Sequence, residues 1–275
     1  MLDTEDQQTT TQPVDSGPRV TLLYSVPEFA TPDPASIKQT VTSENTIFSW
    51  AKNMIFVKQN TETLPIPKVL AYYSYGPIPR DIDDYGSLYD TYIFMDYVEG
   101  QSLDKGWGTY DGITKSYIAS QLKEYLCQLR QISHRNYIGS ADLGPVTDPI
   151  LERHHNKDLP FDSEEAFNNA IIEVYQSTTP KRHIKSFLAG MLSQKRHQIV
   201  FTHGDLRLQN IMVNNGHVSG IVHWKFSGWY PEYWEFSRAL YVWRWQNDWI
   251  DYLLQVLEPY YAEYGVHRFL METLW

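Results

Sequence analysis

Asp205 and Asn210 stand five residues apart in the run FTHGDLRLQNIMV, residues 201–213. A carboxylate there can take the proton of a substrate hydroxyl. An amide oxygen five residues on can hold Mg²⁺. Those are the two tasks that phosphoryl transfer asks of such a loop. Alone, the spacing also describes a polar loop closed by Asx turns. Its surroundings narrow the choice. His203-Gly204 comes before it and Ile211-Met212-Val213 after it. Asn214-Asn215-Gly216 then predicts a tight hairpin between 211–213 and 217–222, because Asn-Gly supplies the positive φ values that turn requires. Arg207 is placed to stabilise a developing oxyanion, and His203 to brace the loop structurally.

The elements that must position this loop follow from hydrophobic periodicity. Arg19–Val26 is a short β-prone run. Thr46–Asn60 carries Ile47, Trp50, Ala51, Met54, Ile55 and Val57 at helical spacing, and the Leu-Pro-Ile-Pro run at 64–67 ends it. Lys68–Tyr75 and Thr91–Val98 alternate as strands. Beyond Glu99-Gly100 the pattern turns helical, at Thr114–Ile132, Glu164–Tyr175, Ile184–Leu192 and from Tyr233 to about Leu274. The order predicts an α+β chain of two lobes: a flexible tail (1–18), a small β-rich lobe (19–98) and a larger helical lobe (99–275), with a cleft between the lobes.

Composition excludes several classes. With 275 residues, 42% hydrophobic and 20% charged, the chain can bury a sizeable core. Its 33 acids against 23 Lys and Arg give a formal charge of −10, which argues against a nucleic-acid partner. A single cysteine, Cys127, excludes an internal disulfide and a cysteine-based zinc site. No apolar run is long enough to span a membrane, and the first residues lack a secretory signal pattern, so the expectation is a cytoplasmic protein acting on a small molecule. Seventeen of the 40 aromatic residues fall between Trp224 and Trp275. They read either as core or as the wall of a ligand pocket, and Trp224, Trp229 and Tyr230 are the pocket candidates. His154 and His155 lie in a polar stretch with Glu152 and Asp158 and are weaker substrate candidates.

The segment FTHGDLRLQNIMVNNGHVSGIVHWKFSGWYPEYWEF (201–236) resembles the signature of the aminoglycoside phosphotransferase and choline-kinase-like family, especially its filamentous-fungal members. LPIPKVLAYYSY (64–75), YIFMDYVEGQSLDKGW (92–107) and IGSADLGPVTDPIL (138–151) are similar to its flanking blocks. The resemblance implies a bilobal protein-kinase-like fold, with nucleotide near the Phe94–Gly100 hinge at Asp96 and Val98. It also implies Asp205 at the catalytic-base position and Asn210 at a metal-ligand position.

Departures from that pattern carry their own message. Where the family has Ile-Ile-Asp-Trp-Glu, this chain has Ile221-Val222-His223-Trp224-Lys225. An imidazole suits softer metals, whereas Mg²⁺ wants anionic oxygen. Trp50 and Lys52 stand where the family usually has Glu, and no glycine occurs between Gly17 and Gly76 to form a phosphate-covering loop. Lys38 is the nearest candidate for the nucleotide-positioning lysine. ATP and Mg²⁺ binding are therefore expected to be weak or absent. Three readings follow: ATP-independent acid/base catalysis of a cyclisation, dehydration or isomerisation by Asp205, His223 and Arg207 on a specialised metabolite, with Asp205 and His223 forming a carboxylate–imidazole pair; a phosphotransferase with an altered metal site; or a non-catalytic, pseudokinase-like binding protein.

Overall fold

A computed structural model describes residues 17–34, 47–81, 87–133, 136–154, 158–178, 184–240 and 247–274. Most of the expected tail, Lys38 and His155 lie outside these residues. The small lobe is an antiparallel sheet in the order β1 (Arg19–Ser25), β2 (Val69–Gly76), β3 (Asp90–Met95), with α1 (Ile47–Asn60) against it. Alternation in β2 buries Ala71 and Tyr73, while β1 leaves Val20, Leu22 and Leu23 exposed on the outer edge.

α1 buries the face that its periodicity predicts, through Ala51, Met54 and Val57. It is also fastened to the large lobe. Phe56 packs on Phe201 and Trp229, with ring centroids 5.4 and 6.0 Å away. Asn53 is 1% exposed; it donates from Nδ2 to the Ser227 carbonyl (2.7 Å) and accepts from the Ala141 N–H at Oδ1 (2.9 Å). Lys52 Nζ reaches Asp142 at 2.6 Å. Asn53→Ala would strand a buried carbonyl and a part-buried N–H together. The expected cost is about 2 kcal/mol, read as a lower urea midpoint at unchanged m-value.

The hinge turns at Gly100, where φ is +107° and a Cβ would fall 2.3 Å from the Val213 carbonyl oxygen, so only glycine fits. In the large lobe, β4 (Gln101–Ser102) leads into α2 (Leu103–Gly106). α3 (Gly112–Arg130) starts at Asp111, whose carboxylate caps the Thr114 N–H. α4 (Glu164–Thr178) and α5 (Ile184–Leu192) follow. β5 (Ile199–Thr202) pairs with β8 (Gly228–Pro231), and the hairpin β6 (Ile211–Asn214)–β7 (His217–Ile221) continues from β4. Asn215 and Gly216 take φ of 50° and 78° at its tip, the turn expected from their types. α6 (Trp234–Ala239), α7 (Trp249–Val256) and α8 (Tyr261–Leu274) complete the lobe. No helix among the described residues is long and apolar enough to cross a membrane.

The aromatic C-terminal third is core. Trp224, Trp229 and Tyr230 are 0%, 2% and 0% exposed, so they do not wall a pocket as one reading of the sequence expected. Trp224 packs edge-on to His203, Trp229 on Phe201, and Tyr230 stacks on Trp234. Burial dominates because these large rings remove more apolar area from water than any smaller side chain could.

Candidate functional site

The loop 203–210 runs between β5 and the hairpin, and His203, Asp205, Arg207 and Asn210 in it each have a defined partner. His203 is buried. Its Nε2 donates to the Val222 carbonyl (2.9 Å), and its Nδ1 accepts the Asp205 N–H (3.2 Å). That pattern needs a neutral ring. Burial, opposed by the charge of Asp205, lowers its pKa to about 4. His203 is therefore a brace, as the sequence suggested.

Asp205 sits at the base of the site. Its Oδ2 receives Arg207 Nη2 and Asn210 Nδ2, each at 2.7 Å. Its Oδ1 has no protein partner among the described residues. Asn210 Nδ2 also donates to the Asp205 carbonyl (2.8 Å), and no group among the described residues donates to the amide Oδ1 of Asn210. The structure thus brings Asp205, Arg207 and Asn210 together.

His223 behaves differently from the expectation. It adopts φ 70°, ψ 47°, a left-handed conformation that a non-glycine residue enters at a cost of about 1 kcal/mol. The imidazole is exposed and lies against Trp50 of α1, with centroids 5.8 Å apart and planes tilted by 31°. No hydrogen bond or ion pair joins it to Asp205. The direct carboxylate–imidazole pair is not formed, because the backbone turn sends the ring toward α1 while Oδ2 of the carboxylate is held by Arg207 and Asn210.

Glu235 was not picked out from the sequence, and it holds the site. It is 2% exposed, on α6, and its carboxylate accepts the backbone N–H of His203 (2.7 Å) and of Gly204 (3.2 Å). Burial raises its pKa to about 7 against those two donors. The available signal was a lone carboxylate inside the aromatic run Tyr233-Trp234-Glu235-Phe236. Acids are rarely buried unless something specific binds them.

The other predicted residues lie elsewhere. His154 is buried and points Nε2 at Glu173 of α4 (3.1 Å) beside Phe161, a structural setting and not a substrate-facing one. Asp96 gives its backbone N–H to the Lys68 carbonyl (3.0 Å), and Val98 lies over Gly220, where a Cβ would come within 2.5 Å of it. For a metal, the loop offers the carboxylate of Asp205 and the amide oxygen of Asn210, and His223 stands where the resembled family has a second carboxylate. No group of three or more His, Cys, Asp or Glu side chains converges on a metal position among the described residues. The donor set does not suit Mg²⁺.

Two lobes with this loop and hairpin between them define the class, and the family follows from the match. The chain belongs to the phosphotransferase enzyme family, whose family model matches residues 47–270. Among solved structures it is similar to an aminoglycoside-3'-phosphotransferase of type VIII, with a TM-score of 0.51, 12% identity, and coverage of 83% of this chain and 80% of that one. It is also similar to a thermostable mutant of aminoglycoside phosphotransferase APH(4)-Ia in ternary complex with ADP and hygromycin B. There the TM-score is 0.52 at 13% identity, covering 81% of this chain and 74% of that one. At such identities the likeness establishes the fold. No curated protein matches the chain.

Proposed function

We propose that this chain is a small-molecule enzyme of the phosphotransferase family in which Asp205 acts as a general base without nucleotide. The observation that carries this reading is the split role of the Asp205 carboxylate: Oδ2 is anchored by Arg207 and Asn210, and Oδ1 is open to a substrate. A base so fixed can take a proton from a hydroxyl or an acidic carbon, as enolisation, dehydration or cyclisation requires. Arg207 lies next to the charge that develops. His223, exposed on Trp50, serves as a separate proton-transfer group acting on the substrate and not through Asp205.

One observation favours a second reading. Asn210 keeps its amide oxygen free, as a phosphotransferase metal ligand would. The unfit donor set around it ranks this reading second. The two separate in one experiment. Purified protein is incubated with a metabolite extract, with and without Mg·ATP, and the products are followed by mass spectrometry alongside thermal melts. The expected result is a product that forms without nucleotide, and a Tm that Mg·ATP does not raise. A Tm increase of several degrees, with a product heavier by one phosphoryl group, would establish phosphoryl transfer instead. Ligand-induced stabilisation with no product under either condition would make the chain a binding protein.

A further inference from the structure

We propose that the cleft selects a small planar anion: a hydroxylated carboxylate whose carboxylate is held by Arg207 while its hydroxyl faces Asp205. The inference rests on Asp205 being the working base of the site. Its starting point is the incomplete pairing of Arg207. A guanidinium has five N–H donors. Only Nη2 of Arg207 has a protein partner among the described residues, at Asp205 Oδ2. Its Nε is buried with no acceptor, a situation that costs stability unless a ligand or water supplies one. The side chain is nonetheless 39% exposed, so the rest of the fork is open to a ligand. A planar fork of donors recognises a carboxylate through two parallel hydrogen bonds, which a point-charge ammonium does not.

The charges nearby point the same way. The positions at which the resembled family carries acids hold His223 and Lys225 here; Glu235 is buried against the backbone N–H groups of His203 and Gly204, and Arg207 pairs with Asp205 and offsets its charge. Lys52 is taken by Asp142 and does not compete. Arg207 thus offers its remaining donors beside a base whose charge it already offsets, an arrangement that suits an anion better than a polycation. Trp50 and His223 add aromatic surface near the same loop, their planes inclined by 31°, on which a ring can pack.

Isothermal titration calorimetry with three probes tests the proposal: salicylate, a planar hydroxy-carboxylate; salicylamide, its uncharged analogue; and spermidine, a polycation. Salicylate is expected to bind and the other two not to. Arg207→Gln, checked by circular dichroism to be folded, is expected to weaken salicylate about tenfold or more. Asp205→Asn removes the anion that shares Arg207 and is expected to tighten salicylate about threefold or more. That second result is independent of turnover, since Asp205→Asn also removes the base. If nucleotide-free catalysis proves absent, these binding results stand or fall by themselves. Salicylate affinity unchanged in Arg207→Gln, no tightening in Asp205→Asn, no salicylate binding at all, or tighter binding of spermidine would each overturn the proposal.

Discussion

Asp205→Asn is expected to lower turnover about 10²- to 10⁴-fold while leaving the melting temperature within a few degrees of the parent. The substitution keeps an oxygen at the position that accepts from Arg207 and Asn210. It removes the negative charge, and with it the ability to take a proton. Because the side chain is 11% exposed and its oxygen contacts can survive, little stability should be lost. Rates are to be followed on whichever metabolite the extract experiment identifies. A variant that retains a tenth of the parent rate would place the base elsewhere. His223→Ala gives the comparison: a smaller loss would fit a second proton-transfer group that acts from its own side of the substrate.

Glu235→Gln should change how stability depends on pH. The carboxyl loses its proton near 4.5 in an unfolded chain and near 7 in the folded protein, because burial disfavours its charge. Between those values the folded state holds more protons than the unfolded one, so the Glu235 contribution declines as pH rises from 4.5 to 7. The full effect is about 3 kcal/mol. His203 and His267 act in the opposite sense. Their folded values are lowered to about 4 and about 3 by burial, so stability is lost as pH falls below the ordinary imidazole value of 6.5. Comparing parent with Glu235→Gln cancels the two histidines. On going from pH 4.5 to pH 7.5 the parent should lose about 3 kcal/mol of stability relative to the variant, read by urea unfolding. A difference between the two proteins that does not move with pH would show that the carboxyl titrates as it does in water. Gln also has one acceptor where two N–H groups converge, so slower turnover is expected together with the lost pH slope.

Local chemistry made much of this legible in advance. The hairpin tip follows from Asn215-Gly216, whose positive φ values are a property of those residue types. The helix at 47–60 follows from its apolar period, and the strands at 69–76 and 90–95 from alternation. The loop was readable because the Asp205–Asn210 spacing brings the two side chains onto one oxygen. What stayed hidden depends on distant pairing or on direction. β5 and β8 are joined by contacts such as Phe201↔Trp229, separated by the whole loop and hairpin, and nothing in either short run announces its partner. Composition counted the aromatic rings of the last third but could not say which way they face, and they face inward. For His223 the residue type was visible, but the left-handed backbone that carries its ring to Trp50 was not. Glu235 is a tertiary fact, the meeting of α6 with the start of the loop.

The way α1 is fastened also bears on the mechanics of the cleft. Asn53, Lys52 and Phe56 all hold this helix to the large lobe, although in the chain it belongs to the small one. Any opening that preserves those bonds must carry α1 along with the large lobe and let the sheet β1–β3 slide across it. The slip plane would then run under Tyr72 and Ile93, making the motion shear over a packed surface and not a swing about Gly100.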